Sequence, residues 1–568
     1  MSIAVSVVQT KPFGGQKPGT SGLRKEVKVF QQANYTENFI QCLLEGGLGD
    51  GLKGSTIVLG GDGRFFSEDA CRIIYQMAAG NGVGKLVVGR AGFASTPAVS
   101  AIIRKLKADG GILLTASHNP GGPNGDFGIK FNCANGGPAP DAVTTKMHKL
   151  SEGIAEYKIC KELKMDLNKL GTQTVQIEGH GPFSLQVIDP VADYTELMES
   201  IFDFPSIKAL LAGQLTGGQP FRVLIDAMAG ATGPYVKEIL GKRLGATEED
   251  LLNCTPLPDF GGGHPDPNLT YAADLVKRMS GGQHDLGAAF DGDGDRNMIL
   301  GKAAFFVTPG DSLAVIADNL SAIPYFRQTG YDKKGYARSM PTSGALDRVG
   351  KAKGLEVFET PTGWKYFGNL MDAGRIALCG EESFGTGSDH VREKDGLWAA
   401  LAWLQIIAAS KGQGVEAISK AHWAKYGRNV FTRYDYENVS SEAANKMMAH
   451  LEALIAEPGT KGLKITGGGK TFAIDIADNF AYTDPVDGSQ ANKQGIRVVL
   501  TDGSRAVWRL SGTGSSGATI RLYIDSFVND PAIINADAQE LLKPLIEAAL
   551  SLSKLQDFTG REKPTVIT

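Results

Sequence analysis

Ser117 lies in a segment whose residue types suit a nucleophile or a carrier of a phosphoryl group. The segment reads Thr-Ala-Ser-His-Asn-Pro-Gly-Gly over residues 115–122 and follows an apolar run that predicts a buried strand. His118 places a base beside the serine hydroxyl, and the Asn-Pro-Gly-Gly sequence must turn there. The Gly-x-Ser-x-Gly spacing of a hydrolase nucleophile elbow is missing. We therefore predict a functional serine on a rigid turn, with an ordinary loop serine as the alternative.

Three aspartates at alternate positions suit a metal ion. Asp291, Asp293 and Asp295 follow a second predicted strand, and the glycines between them let the backbone curl around one hard cation. A calcium loop of the EF-hand type needs glycine at position six and glutamate at position twelve, where this sequence has Arg296 and Lys302. The pattern predicts magnesium bound by three carboxylates and one substrate or phosphoserine oxygen, with a solvated acidic turn as the alternative.

A glycine-rich segment near the C-terminus suits a phosphate group. Its glycines at 512, 514 and 517 match the dinucleotide-binding spacing, but residues 518–524 alternate as a strand where that motif requires a helix. The segment is therefore predicted as strand, loop and strand, with backbone amides that can bind phosphate. A hairpin without a ligand is the alternative. The polar side chains that suit a phosphate here are Arg509, Ser511, Thr513 and Arg521.

The sequence Gly-Glu-Glu-Ser-Phe-Gly at residues 380–385 follows another predicted strand. Carboxylates and a hydroxyl at the end of a buried strand suit a hydroxyl-rich ligand such as a sugar, and a polar loop is the alternative. Lys394 follows in a short charged run, for which a plain surface location is the simpler interpretation in isolation.

The elements that must position these motifs alternate between strand and helix over about the first 420 residues, which predicts mostly parallel, doubly covered sheets. The last part of the chain alternates polar and apolar residues, as half-exposed antiparallel strands do. The prediction is α/β, with three α/β units in mixed or parallel sheets and a C-terminal α+β unit. The predicted domains are residues 1–191 with the serine loop, 192–305 with the metal loop, 306–425 with the sugar loop and 426–568 with the phosphate loop.

The composition excludes several classes of protein. The 58 basic and 62 acidic residues give a formal net charge of −4, which argues against nucleic acid or an anionic membrane as partner. The six cysteines form no Cys-x-x-Cys pair, so we expect neither a disulfide scaffold nor a zinc site, and the cysteine usage suits the cytoplasm. The N-terminal sequence does not resemble a secretory signal, and the apolar run 397–409 is too short to span a bilayer.

Taken together, the motifs resemble those of the α-D-phosphohexomutase superfamily, and within it the phosphoglucomutases of the eukaryotic type. The likeness covers essentially the whole chain, from Pro-Gly-Thr-Ser-Gly-Leu-Arg at residues 18–24 to Arg521. Four widely spaced motifs in the family's order are far more specific than any one of them. The resemblance implies four domains around a central cleft, the last of the TATA-binding-protein-like α+β type.

The resemblance also implies roles for single residues. Ser117 matches the phosphorylated serine, Arg296 lies beside the transferred phosphoryl group, and the three aspartates match magnesium ligands completed by the phosphoserine oxygen. Positions that match acid–base or positioning residues are His118, Lys130 and Lys394. Positions that match substrate contacts are Arg24 in the cleft, Thr362 in the sugar loop, Glu381 and Ser383 at the sugar hydroxyls, and Arg509, Ser511, Thr513 and Arg521 at the distal phosphate.

The function that the resemblance implies is an isomerase of the intramolecular phosphotransferase type, which interconverts glucose 1-phosphate and glucose 6-phosphate. Phosphorylated Ser117 would give its phosphoryl group to the free sugar hydroxyl, and the resulting glucose 1,6-bisphosphate would turn over in the cleft. The implied cofactors are Mg²⁺ and glucose 1,6-bisphosphate. The expected partners are small hexose phosphates, with no nucleic acid and no membrane insertion, and the expected state is a monomer or weak dimer.

Three alternatives stay open. A phosphatase with an aspartate nucleophile would use the Asp-x-Asp pattern and release phosphate, but the serine segment would then have no role. A non-catalytic phosphoprotein would show no sugar-phosphate turnover. A related mutase would prefer the phosphates of mannose or N-acetylglucosamine.

Overall fold

The chain forms four main sheets with helices packed around them. In the computed structural model the described residues are 2–19, 21–514 and 517–568, and for residues 512–514 only the backbone is described. The sheets follow the four predicted segments, except that the strand Phe306–Val307 pairs with the second sheet from just beyond the boundary predicted at residue 305. The boundaries of the domains stay predictions.

The first sheet is parallel at its centre and has antiparallel pairs on either side of that centre, and one edge ends in the parallel pair of Ser2–Ile3 with Gly171–Ile177. The central strands Lys85–Gly89, Thr56–Gly61 and Gly110–Leu114 are parallel and buried, as their valine, isoleucine and leucine content predicts. This agrees with the prediction of mixed or parallel sheets, which did not say which strands would be antiparallel. In spatial order the strands are Ser2–Ile3, Gly171–Ile177, Gly181–Ile188, Lys85–Gly89, Thr56–Gly61, Gly110–Leu114, Asp126–Cys133 and Leu23–Glu26. The helices are Val27–Phe30, Tyr35–Leu48, Ser67–Gly80, Thr96–Leu106 and Asp141–Gly153, and a separate ribbon pairs Ser6–Gln9 with Glu156–Ile159.

The second sheet places the aspartate loop between two antiparallel strands. Leu286–Phe290 leads into the loop and Asn297–Gly301 leads out of it. A short α-helix, Gly233–Val236, continues as the π-helix Lys237–Arg243. In spatial order the strands are Leu251–Leu252, Val223–Asp226, Leu286–Phe290, Asn297–Gly301 and Phe306–Val307. The other helices are Pro190–Ile201, Phe204–Leu211 and Ala273–Ser280.

The third sheet carries the candidate sugar loop in a tight connection between the buried strands Ile376–Glu381 and Gly385–Ser388. The other two strands are Gly335–Ser339 and Val357–Thr360. Gly335–Ser339 pairs in parallel with both Ile376–Glu381 and Val357–Thr360. The helices are Pro309–Asp318, Pro324–Thr329, Ala345–Lys353, Trp364–Asp372, Gly396–Ala409 and Val415–Tyr426.

The fourth sheet is antiparallel, as predicted, and helices cover one of its sides. The glycine-rich segment joins Arg505–Gly514 to Gly517–Val528, so a strand follows the glycines and the dinucleotide-binding interpretation is excluded. In spatial order the strands are Lys464–Gly467, Lys470–Asn479, Ile496–Leu500, Arg505–Gly514, Gly517–Val528, Arg428–Val439 and Val566–Ile567. The helices are Ser441–Ala456, Ala538–Ser553 and Leu555–Thr559, and a small ribbon pairs Tyr482–Thr483 with Gln490–Ala491.

The hydrophobic cores show how the segments are joined. The second and third segments share one continuous core, in which the helix Gly396–Ala409 is buried along almost its whole length. The first and fourth segments have main cores of their own. Within the described ranges, no helix combines the length and the apolar character needed to cross a membrane.

Candidate active site

Ser117 follows the end of a buried strand, and its hydroxyl faces the aspartate loop. The residue is 1 % exposed. Its hydroxyl donates a hydrogen bond of 2.7 Å to Oδ2 of Asp291, and Nη1 of Arg296 donates one of 3.3 Å to the hydroxyl. The backbone of Ser117 has φ +53°, a left-handed conformation that costs a non-glycine residue about 1 kcal/mol. Strain of this kind persists where the surroundings impose it, which is frequent at functional sites.

A buried ion pair from a neighbouring strand end holds the serine loop. Nε of Arg64 lies 2.9 Å from Oδ2 of Asp62, and both side chains are fully buried. The same guanidinium donates to the carbonyl oxygens of Ser117 and Asp126, at 2.8 and 2.9 Å, while Thr115 donates its hydroxyl to Asp62 at 2.7 Å. Sequence analysis missed this pair; the signal that could have found it is Gly-Asp-Gly-Arg directly after a buried strand.

The three aspartates form a buried cluster. One carboxylate oxygen from each of Asp291, Asp293 and Asp295 lies within 4.8 Å of the others. Thr96 donates to Oδ2 of Asp293 at 2.8 Å, and Nζ of Lys394 lies 3.2 Å from Oδ2 of Asp295. Burial and the two neighbouring carboxylates raise the pKa of Asp291 well above its usual range. Three carboxylates packed in this way repel each other unless a cation lies among them.

The donor set fits a hard divalent cation. Oδ1 of Asp293 and Oδ1 of Asp295 are buried and have no hydrogen-bond partner among the described residues, so each has an oxygen free to bind a metal. Oxygen donors of this kind are what magnesium prefers, usually from only a few protein carboxylates together with substrate oxygens. The hydroxyl of Ser117, on Asp291, is the adjacent oxygen.

Arg296 and His118 lie together at the base of the cleft. Arg296 donates its backbone N–H to Oδ1 of Asp291 at 2.9 Å, and its guanidinium contacts Nδ1 of His118. Burial, Arg296 and Arg24 lower the pKa of His118 well below its usual range, so the imidazole is neutral. Burial also lowers the pKa of Arg24, which lines the cleft from the strand Leu23–Glu26.

Two lysines reach the cleft in different ways. Lys130, on the antiparallel strand that returns from the serine loop, forms a buried ion pair with Glu393, which also accepts a hydrogen bond of 2.9 Å from Asn132. Lys394 pairs with Asp295. Burial disfavours the charged form of Lys394, but the carboxylates of Asp295, Glu381 and Asp291 together outweigh it and the pKa is raised. The surface location considered for Lys394 is therefore wrong, and Glu393 is a site residue that sequence analysis missed.

The sugar-loop residues converge on the same cleft. Glu381, Ser383 and Thr362 line it. Oε1 of Glu381 accepts the backbone N–H of Gly363 at 3.0 Å, which joins the two loops, and burial raises the pKa of this carboxyl. Glu382, the second carboxylate of the predicted Gly-Glu-Glu-Ser-Phe-Gly motif, also lines the cleft.

The fourth segment contributes Arg521 to the cleft wall. Nε of Arg521 lies 3.7 Å from Oδ2 of Asp435, whose other oxygen lies 3.0 Å from Nε of Arg433. Asp435 and Arg433 line the cleft as well, and sequence analysis missed both.

The other residues that the sequence predicts at the phosphate site are not among the described residues that line the cleft. Arg509 and Ser511 do not line it, and Nη1 of Arg509 donates to the Tyr523 hydroxyl at 3.4 Å. The side chain of Thr513 lies outside the described residues.

The cleft has a volume of about 720 Å³, and residues from all four segments line it. It is large enough for a small polar ligand, and most of its lining residues are charged or polar. Asp293, Asp295 and Arg296 line the end near Ser117, which is the metal-type end of the cleft. The fourth segment lines another part with Arg433 and Arg521 as well as Asp435 and Glu437.

Comparison with known proteins gives matches along the whole chain. Models of the phosphoglucomutase/phosphomannomutase alpha/beta/alpha domains I, II and III match residues 15–158, 193–304 and 309–426, and a phosphoglucomutase-1 C-terminal domain model matches residues 428–565. The chain is 60% identical to phosphoglucomutase 1 of Drosophila melanogaster and 59% identical to phosphoglucomutase-1 of Homo sapiens, each over 568 residues and 100% of both chains.

A solved structure agrees with these relatives. The fold is similar to the open form of parafusin, an exocytosis-sensitive phosphoprotein described as a phosphoglucomutase, from Paramecium, with a TM-score of 0.88, 46% identity and 100% coverage of both chains. The expected four-domain α/β architecture is confirmed by these matches. The chain therefore belongs to the phosphoglucomutase/phosphomannomutase family of the α-D-phosphohexomutase superfamily.

Proposed function

We propose that this protein is a phosphoglucomutase, which interconverts glucose 1-phosphate and glucose 6-phosphate reversibly through a phosphorylated serine and glucose 1,6-bisphosphate. The observation that carries the proposal is the 2.7 Å contact between the hydroxyl of Ser117 and Asp291, at the metal-type end of a cleft lined by all four segments. The names of the full-length relatives support the same activity.

In the proposed reaction, the phosphoryl group leaves the Ser117 oxygen for the free hydroxyl of the bound sugar phosphate, and His118 or Lys130 takes the proton of that hydroxyl. After the bisphosphate turns over, its other phosphoryl group returns to the Ser117 oxygen and restores the phosphorylated enzyme. Arg296 donates to the Ser117 hydroxyl, so it would lie beside a phosphoryl group carried there and offset negative charge that a hydroxyl acceptor would otherwise meet. Asp291, Asp293, Asp295 and the phosphoserine would hold Mg²⁺, which supplies charge neutralisation on the phosphoryl group.

Acid–base and positioning roles go to His118, Lys130 and Lys394. The neutral His118 lies against Arg296, while Lys130 and Lys394 face Glu393 and Asp295. These contacts fix the orientation of all three groups before a substrate arrives, which lowers the entropic cost of reaching the reactive geometry.

The other groups bind the two ends of the sugar phosphate. The carboxylate of Glu381 accepts hydrogen bonds from sugar hydroxyls, and the hydroxyl of Ser383 donates one to them. Arg24 and Thr362 line the cleft beside the sugar. Arg521, which lines the cleft, is the structural support for a distal phosphate site. Arg509, Ser511 and Thr513 are assigned to this site from the sequence resemblance alone. Because guanidinium and amide donors recognise phosphate and not its position on the sugar, one site serves either end of glucose 1,6-bisphosphate after it turns over. We further propose a cytoplasmic monomer or weak dimer.

One coupled assay tests the proposal. The protein is supplied with glucose 1-phosphate, Mg²⁺ and trace glucose 1,6-bisphosphate, and glucose 6-phosphate is measured, with mannose 1-phosphate run in parallel. We expect rapid formation of glucose 6-phosphate and no net release of inorganic phosphate. A preference for mannose 1-phosphate would replace the proposed substrate. Release of phosphate without isomerisation would support an aspartate-nucleophile phosphatase instead.

A further inference from the structure

A buried cluster of Ser388, His390 and Asp395 lies behind the candidate active site. The hydroxyl of Ser388 lies 2.6 Å from Nδ1 of His390, and Nε2 of His390 lies 3.0 Å from Oδ2 of Asp395. The side chains of His390 and Asp395 have no exposed surface, and the imidazole stacks on Trp398 at 5.3 Å between ring centroids. None of the three cluster residues lines the cleft as described.

The cluster has the residue types of a catalytic triad but cannot act as one. Ser388 is 0% exposed, so no substrate reaches its hydroxyl. Both ring nitrogens of His390 have a hydrogen-bond partner, Ser388 at Nδ1 and Asp395 at Nε2. Asp395 also accepts 2.6 Å from the hydroxyl of Tyr194 and 3.0 Å from the backbone N–H of Trp398. A fully satisfied, sealed network of this kind fixes structure.

What the network fixes is the 389–395 loop, the segment between the strand Gly385–Ser388 and the helix Gly396–Ala409. His390 lies at its start and Asp395 at its end, so their hydrogen bond closes the loop on itself. Glu393 and Lys394, which lie between them, are the residues that reach Lys130 and Asp295.

The far end of the loop lies directly against the aspartate loop. The backbone N–H of Gly396 donates to the carbonyl oxygen of Gly294 at 3.1 Å. A Cβ atom at Gly396 would lie 2.3 Å from the carbonyl oxygen of Arg296, so only glycine allows this approach. Any movement of the 389–395 loop therefore changes the distance between Lys394 and Asp295.

The partner of Asp395 extends the network to the metal-type end of the cleft. Tyr194 packs edge-on against Tyr235, at 5.2 Å between ring centroids. The hydroxyl of Tyr235 accepts the backbone N–H of Ser95 at 3.1 Å, and the next residue, Thr96, is the donor to Asp293. The cluster thus contacts both sides of the aspartate site through buried groups.

We propose that His390 is a positioning residue for the mutase reaction: by bonding Asp395 it fixes the 389–395 loop so that Glu393 and Lys394 face Lys130 and Asp295. The inference rests on the proposed function. The wild-type protein in the coupled assay tests that function, whereas the variants below test only the role of His390.

The test compares two substitutions that divide the contacts of His390. His390→Gln places an amide nitrogen where Nε2 lies and keeps a donor to Asp395, whereas His390→Asn reaches only the Nδ1 position and loses that donor. His422→Asn is the matched control, because His422 is also a buried histidine, 5% exposed, but lies outside the cleft wall. For each variant we would measure kcat and KM for glucose 1-phosphate and amide hydrogen exchange in residues 386–398.

We expect His390→Asn to lower kcat about 10- to 100-fold, the effect of displacing a reacting group by about 1 Å, with KM changed less than about twofold. Exchange in residues 386–398 should accelerate about tenfold. His390→Gln should keep most of the wild-type kcat, and His422→Asn should change neither kcat nor the exchange rate. Wild-type kcat in His390→Asn, or equal losses in the Asn and Gln variants, would overturn the proposal.

If His390→Asn does not fold, Tyr194→Phe decides. This change removes one donor to Asp395 without opening a large cavity. A fall in kcat of at least about threefold with faster exchange in residues 386–398 supports the positioning role. Wild-type values of both would contradict it.

Discussion

At the scale of residues, the candidate site holds buried carboxylates whose negative charges repel each other when no cation is bound. Three buried carboxylates form one cluster, and one of them, Asp291, accepts a hydrogen bond from the hydroxyl of Ser117. The pKa of Asp291 is raised because burial and two like charges oppose its ionisation. A cation relieves that repulsion and at the same time offsets the charge of a phosphoryl group on the serine. The arrangement therefore links metal binding, stability and catalysis at the same atoms.

Asp293→Asn tests this link. The amide keeps the shape of the side chain but removes one charge and one metal ligand, so we expect mutase activity to fall at least about 100-fold. In the presence of a chelator the variant should be at least as stable as the wild type, because one repulsion is gone. Added Mg²⁺ should raise the melting temperature of the wild type but not that of the variant.

Asp274→Asn serves as the control, since Asp274 is an exposed residue of the helix Ala273–Ser280. It should behave like the wild type in both measurements. If Asp293→Asn kept its activity and its response to Mg²⁺, the metal site would be assigned wrongly.

At the scale of elements, the sequence predicted where chemistry lies better than what supports it. The motifs around Ser117, Asp291 and Glu381 all follow buried strands, as expected, because strand ends and glycine turns are local signals. The supports were missed because they come from distant parts of the chain: Glu393 lies 263 residues from Lys130. Sequence periodicity does not report which turns become neighbours in space.

The pair Asp62 and Arg64 is the clearest element-scale support, and Arg64→Met tests it. Loss of the guanidinium leaves Asp62 buried and unpaired and frees the carbonyl oxygen of Ser117, so we expect about 3–5 kcal/mol of destabilisation in denaturant unfolding and a large loss of kcat. The double variant Asp62→Asn with Arg64→Met should regain much of the stability but not the activity. Recovery of both would show that the pair serves the fold alone.

At the scale of the whole molecule, the four segments are joined in two different ways. The second and third share an apolar core around the helix Gly396–Ala409. The contact between the third and fourth segments includes ion pairs centred on Glu359. The Glu359 carboxylate accepts hydrogen bonds from Arg338 at 3.0 Å, from Arg505 at 3.2 Å and from Arg497 at 2.7 Å. The last two arginines belong to the segment that carries the proposed phosphate site.

Glu359→Gln should therefore weaken the ion pairs that join the fourth segment to the third. Burial opposes ionisation of Glu359, but Arg338, Arg505 and Arg497 outweigh it, so the pKa is lowered and the charged form is stabilised above about pH 4.5. We expect KM for glucose 1-phosphate to rise several-fold at neutral pH with a smaller change in kcat. As the pH falls below that value, the stability difference between variant and wild type should shrink.

The matched control is Glu356→Gln, which removes an exposed ion pair with Arg375 in the third segment. Kinetic constants should stay at wild-type values. A Glu359→Gln variant that also kept a wild-type KM would mean that the ion pairs do not orient the phosphate site.

The central claim is that a phosphoryl group passes through Ser117, and the direct measurement is the location of that group on the working protein. The protein is incubated with labelled glucose 1,6-bisphosphate and digested for mass spectrometry, and a second sample is first chased with unlabelled glucose 1-phosphate. We predict label on the peptide that contains Ser117, its loss to sugar phosphate during the chase, and no labelling or turnover in Ser117→Ala. Label on Asp291 or another residue, or full activity in Ser117→Ala, would contradict the account.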